Sequence, residues 1–168
     1  RILSFDDSAL RADFWENMLT RALNVRIGCG LHGNASTDCY RLVHGEGDNL
    51  PGLIIDFYNG VCVMQAHSVG MFRAKKQITD ALRKVYGDSL KAVYDKSSGT
   101  APFKAGLELV DGYMYRRNDY SDDEQVVLEN GHKFIVNWTE GQKTGLFLDQ
   151  RENRALVGSL SKGRNVLN

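Results

Sequence analysis

The sequence predicts an α+β fold: a mixed sheet with a strand-strand-helix-strand-strand core, flanked by an N-terminal helix and a C-terminal helix. Three observations predict it. Two segments carry apolar residues at helical spacing. Short apolar runs of strand length stand before, between and after them. Two Asn-Gly dipeptides, Asn59-Gly60 and Asn130-Gly131, each join a pair of such runs and supply the two positive-φ residues of a tight hairpin.

The elements follow in order. Residues 7–25 predict a helix, because Leu10, Phe14, Met18 and Ala22 form an i, i+4 stripe widened by Trp15, Leu19 and Leu23. Asp6 or Asp7 caps it, and Gly28 and Gly30 end it. Residues 39–44, 53–57 and 61–67 predict strands, the last two paired through Asn59-Gly60. Residues 72–86 predict the second helix, with Ile78, Ala81, Leu82 and Val85 on one face and Gly87 at its end. Residues 91–95, 107–110 and 113–115 predict further strands, and residues 97–105 a loop. The clearest hairpin joins 125–129 to 132–138, setting Val127 against Phe134 and Val126 against Ile135. Both its faces are apolar enough to be covered, and the second helix is expected on the same sheet.

Composition excludes little. The chain has 168 residues, enough for one good core. Charged residues are 25% and hydrophobic residues 42%, as in ordinary globular proteins. The formal net charge is zero, so no strong global field draws nucleic acid. From His132 onward six basic residues stand against three acidic ones, which a surface scatter explains as well as a binding patch does. No apolar run reaches membrane length and no leader peptide is legible, which predicts a cytoplasmic protein. Both ends read as cut: residues 1–3 as the end of a strand, residues 164–168 as the first half of a buried one. A piece of a longer protein is the expectation.

The cysteines are Cys29, Cys39 and Cys62, an odd number without a disulfide framework. Cys29-x-x-His32, Cys39 and His44 invite a zinc reading. Cys39 and His44 fall on opposite faces of one strand, however, so buried thiols are the better one and no metal is assigned.

The densest chemistry lies in residues 141–154. Asp149 followed by Glu152 reads as a variant capping box at a helix start. That leaves Gly141-Gln142-Lys143-Thr144-Gly145 unexplained. Two glycines bracketing Lys-Thr let backbone approach a ligand, and Lys143 near a helix N-terminus suits an anionic group. The spacing is not that of a Walker A loop. Upstream, Arg41, Glu46 and Asp48 surround a Leu50-Pro51-Gly52 turn. They read either as a local ion pair or, for Arg41, as an RNA backbone contact.

Residues 40–58, from Tyr40-Arg41-Leu42-Val43-His44 through Leu50-Pro51-Gly52 to Tyr58, together with Gly141-Gln142-Lys143-Thr144-Gly145-Leu146-Phe147-Leu148-Asp149-Gln150-Arg151-Glu152-Asn153-Arg154, carry a resemblance. Their order and separation resemble S-adenosylmethionine-dependent 23S ribosomal RNA cytosine-5 methyltransferases, whose members have PUA, central α/β and Rossmann-like domains. The resemblance spans nearly the whole chain and is loose over residues 97–123.

That resemblance implies a domain plan. Residues 1–5 would end a PUA-like domain, 6–37 connect, 38–139 form the central domain, and 140–168 form a connector, a helix and the first strand of a truncated methyltransferase domain. It implies S-adenosylmethionine as cofactor, with Phe147, Leu148, Gln150 and Arg151 as cofactor-contacting residues. Lys143, Thr144 and Arg41 become candidates for substrate contact. The cofactor loop and the cysteine nucleophile would lie beyond Asn168, so no catalytic residue is assigned and the chain alone is expected to be inactive. RNA, ribosomal by resemblance, and a second copy in a homodimer are the implied partners. The other class of function is a non-catalytic RNA-binding or assembly module, which few exposed aromatic residues and zero net charge disfavour.

Overall fold

The computed structural model describes residues 3, 7, 11–102, 106–121 and 125–167. A five-stranded sheet forms its centre: β1 (Cys39–His44), β2 (Leu53–Tyr58), β3 (Val61–Ala66), β4 (Ala92–Asp95) and β5 (Gly112–Arg116). The strands lie in sequence order. Every pair is antiparallel except β3 with β4, which are parallel. A parallel pair needs a crossover, and α2 (Val69–Arg73) with α3 (Lys75–Tyr86) supplies it. The expected strand-strand-helix-strand-strand core is present as β2, β3, α3, β4 and β5, with β1 added at one edge.

Side chains alternate across this sheet and build two cores. On one face, Tyr40, Leu53, Ile55, Phe57, Cys62 and Met64 meet α1 (Phe14–Gly28) and α3. The predicted stripe serves here: Phe14, Met18, Leu19, Ala22 and Leu23 are all buried. So are Ile78, Ala81 and Leu82 of α3. On the other face, Cys39, Tyr58, Val61, Val63 and Tyr94 meet Val127, Val136 and Trp138, with Leu146 and Leu148 packed alongside. The segment singled out by sequence therefore lies on the sheet face opposite the helices.

The hairpin of β6 (Gln125–Glu129) and β7 (His132–Val136) turns at Asn130-Gly131 with Val127 opposite Phe134 and Val126 opposite Ile135, as predicted. Asn130 and Gly131 take φ of 51° and 80°, and Asn59 and Gly60 take 45° and 94°. Two expectations about the hairpin are corrected. It forms a two-stranded sheet of its own, so α3 does not pack on it. Only one of its faces is covered, because Val126 is 39% and Ile135 65% exposed.

Other boundaries shift for local reasons. α1 starts at Phe14, after an exposed Arg11–Asp13 ion pair, and runs on to Gly28. Asp6, Leu10 and the rest of the predicted first turn, except Asp7, lie outside the described residues, as do Arg1, Ile2 and Asn168. The second helix starts at Val69, where the Ser68 hydroxyl accepts the Met71 N–H, and breaks at Ala74. Residues 107–110 and 164–167 are not strands. Among the described residues no strand pairs with either segment, and Val110 and Leu167 are exposed.

Candidate functional site

The connector, residues 137–161, is fastened to the sheet by three polar groups, two of them buried and one half-buried. Asp56 of β2 is fully buried in an otherwise apolar strand. Arg41 sits opposite it on β1 and grips it with two hydrogen bonds, Nε to Oδ1 at 2.8 Å and Nη2 to Oδ2 at 3.0 Å. Thr144 Oγ1 donates to Asp56 Oδ2 at 2.6 Å and lies 3.0 Å from the Tyr58 hydroxyl. That hydroxyl also donates to the Leu146 carbonyl at 3.3 Å. Burial, then the Asp56 charge, pushes the Tyr58 phenol up, so it stays a neutral hydrogen-bonding group.

Lys96 is the second fastening. Its ammonium donates to the carbonyls of Trp138 and Gly141, and burial lowers its pKa. The Trp138 ring stacks on Tyr58, with centroids 6.1 Å apart. The glycines serve this fold-back. A Cβ on Gly141 would stand 2.1 Å from the Asn137 carbonyl oxygen, and one on Gly145 would stand 2.6 Å from Val136 Cγ1. Gly145 also takes a φ of 116°. Both glycines are thus required by the connector's contact with the end of β7.

Glu129 is the third. Its side chain is 2% exposed and accepts two 2.7 Å hydrogen bonds from Arg154. Arg151 stands 3.6 Å away and donates through Nη2 to the Cys39 carbonyl at 2.6 Å. The Glu129 contact holds the Arg154 guanidinium above its usual range. Burial pushes the Cys39 thiol up to about 12. It pushes the Cys62 thiol up as well. Neither is the low-pKa thiolate that a nucleophile needs.

The candidates divide accordingly. Phe147 is 40% exposed, with the Lys143 ammonium 4.8 Å above its ring. Lys143 itself is exposed and takes a φ of 51°. Gln150 is exposed and accepts from Asn153 at 2.7 Å. It lines an open groove of about 800 Å³ between the hairpin and α4 (Arg151–Ser161), together with His132, Phe134, Arg154 and Val157. Leu148 is half-buried against the core, and Thr144 is buried. Arg151 turns inward, as does Arg154.

Two local readings are corrected. Asp149 does not cap α4: it lies in a short 3-10 turn, and the N-cap position is Gln150, without a side-chain cap bond. Arg41 does not pair with Glu46 or Asp48. Asp48 is held by Arg26, with Nη2 to Oδ2 at 2.8 Å, while Arg26 Nε donates to the Arg41 carbonyl at 2.8 Å. Asp48 also accepts the His44 N–H at 2.6 Å. Asp56 and Glu129 were not singled out from sequence. Their signal is a carboxylate at a buried position of an apolar strand, where only a paired charge survives. Among the described residues, no group of three or more His, Cys, Asp or Glu side chains is placed to hold a metal ion.

Comparison with known proteins extends these observations. No protein-family model matches the chain. A ribosomal RNA large subunit methyltransferase I of Erwinia tasmaniensis is 35% identical over 162 residues, covering 96% of this chain and 39% of that protein. A structure provisionally assigned as a SAM-dependent methyltransferase of Streptococcus mutans matches with a TM-score of 0.72 and 24% identity, covering 90% of this chain and 36% of that one. A second structure, provisionally assigned as a methyltransferase and solved with SAH, matches with a TM-score of 0.68 and 25% identity over 85% of this chain and 34% of that one. The chain spans about two fifths of the curated relatives' length. Along nearly all of itself it is similar to a portion of the large-subunit ribosomal RNA methyltransferases, and it shares the fold of the corresponding portion of SAM-dependent methyltransferase structures.

Proposed function

We propose that the chain is the middle of an S-adenosylmethionine-dependent methyltransferase acting at cytosine-5 of large-subunit ribosomal RNA. Residues 38–139 are its central domain, residues 1–5 the tail of a PUA-like domain, and residues 140–168 the lead into the methyltransferase domain. The observation that carries this is the similarity to ribosomal RNA methyltransferases along 96% of the chain. The site supports it. The connector is fastened from behind by Asp56, Lys96 and Glu129, and turns Phe147 and Gln150 outward.

In this reading Phe147 and Leu148 give one wall of the cofactor pocket its apolar surface, and Gln150 offers an amide to a polar edge of the cofactor. Arg151 acts from behind, because its guanidinium is committed to Cys39 and Glu129. Lys143 is the exposed cation for RNA phosphate, and Thr144 fixes the loop that carries it. Arg41, whose guanidinium is engaged by Asp56, presents its remaining edge to RNA. The cofactor loop and the attacking cysteine belong to the rest of the protein, which works in the cytoplasm as a homodimer. No helix among the described residues is long and apolar enough to cross a membrane.

Calorimetry with S-adenosylmethionine tests the assignment. The whole protein should bind it and methylate large-subunit RNA, whereas the 168-residue chain alone should show no detectable binding. Micromolar binding by the chain alone would place the entire pocket within it and overturn the domain plan.

A further inference from the structure

α4 buries none of its residues. Leu156, Val157 and Leu160 are each more than half exposed, at 58%, 56% and 66%. Apolar packing therefore does not hold this helix to the described fold. Two guanidinium groups do. Arg154 grips Glu129 through both Nε and Nη2, and Arg151 bridges Glu129 and the Cys39 carbonyl. Glu129 is itself fixed. It precedes the Asn130-Gly131 turn, where the Asn130 N–H donates to Thr37 Oγ1 at 3.0 Å and the Gly131 N–H to the Ser36 carbonyl at 2.8 Å. The hairpin tip is thus tied to the residues that lead into β1.

A buried ion pair contributes less net stability than apolar residues of the same volume. It does fix geometry. An apolar contact lets a helix roll about its axis, whereas a two-pronged guanidinium–carboxylate contact admits one orientation. We propose that Glu129 is a positioning residue: through Arg151 and Arg154 it sets the angle at which α4 leaves the sheet, and with it the direction in which Gln150 faces. This rests on the cofactor role proposed above for the segment.

Glu129→Gln keeps the shape of the side chain and removes its charge. In the 168-residue chain, hydrogen exchange at the amides of residues 155–160 should accelerate about tenfold or more, while β2, β3 and α3 keep their rates. In the whole protein, the same variant should weaken S-adenosylmethionine binding about tenfold, equivalent to one bond to a charged group. Arg154→Met reaches the same link from the helix side and should reproduce both effects. Unchanged exchange in α4 overturns the proposal, and so does acceleration throughout the sheet. Local acceleration with unchanged cofactor affinity overturns the positioning role. A wild-type whole protein that does not bind the cofactor overturns the proposed function instead. Exchange in the chain then decides alone whether Glu129 fixes α4.

Discussion

The two faces of the central sheet are held by different balances of apolar and charged contact. Against α1 and α3 the contact is mainly apolar, from Phe14 and Leu19 through Ile55 and Met64 to Leu82, with the ion pairs Arg26–Asp48 and Lys75–Asp95 alongside it. Against the connector, apolar contact from Trp138, Leu146 and Leu148 is interrupted by Asp56, Thr144 and Glu129, all buried and all hydrogen-bonded. Apolar burial is non-directional and sums with area, so it makes the helical face the main source of stability. Charged hydrogen bonds are directional and costly to leave unmade, so they make the connector face a source of placement. The segment proposed to touch the cofactor lies on the second face.

The largest effect should come from breaking the first face. Leu82, on the inner face of α3, is fully buried. Leu82→Ala leaves a cavity and should cost about 2–5 kcal/mol. Because the connector rests on β1 and β2, it should be lost in the same transition. Urea unfolding followed by far-ultraviolet and tryptophan signals checks this. Trp138 reports the connector face and Trp15 the helical face, so the two probes should move together.

Breaking the second face should be milder and local. A Cβ at Gly141 would overlap the Asn137 carbonyl, which has no flexible end to yield. Gly141→Ala should therefore cost roughly 1–3 kcal/mol as an overpacking change. The cost should fall on the connector and leave the helical face intact. Trypsin gives a direct reading: cleavage after exposed Lys143 should accelerate, with cutting in α3 unchanged. Accelerated cutting everywhere would show that the two faces are one cooperative unit.

The sequence made the helical face legible and left much of the connector face hidden, for one reason. The stripe from Phe14 to Leu23 and the Asn-Gly turns are local signals, and they set elements and hairpin register correctly. Whether β6 and β7 join the main sheet depends on partners far along the chain, which no local pattern encodes. Leu107 to Val110 shows the same limit, since a segment with no strand beside it among the described residues forms none itself. The glycines at 141 and 145 were visible, but their purpose was not. They fit the Asn137 backbone, and the sequence alone leaves a ligand equally open. Asp56 and Glu129 sat in plain view as carboxylates within apolar strands, the pattern that marks a paired buried charge.

The smallest effect sharpens the comparison most, because it asks whether the second face places a working group. Gln150 is exposed at the start of α4, and its side-chain partner among the described residues is Asn153, one turn along the same helix. Gln150→Ala should leave the melting temperature almost unchanged, since surface changes of this kind fall within about 0.5 kcal/mol. If the amide meets the cofactor, S-adenosylmethionine binding by the whole protein should weaken by roughly 0.5–1.5 kcal/mol, the worth of one neutral hydrogen bond. Arg151→Ala is the necessary contrast. It strips the Cys39 carbonyl and the buried Glu129 of a partner, so it should lower both melting temperature and affinity. Measured together, the pair separates contact from support: Gln150→Ala moves affinity alone, Arg151→Ala moves both. A Gln150→Ala protein with unchanged affinity would remove Gln150 from the pocket and leave the start of α4 as a structural connector.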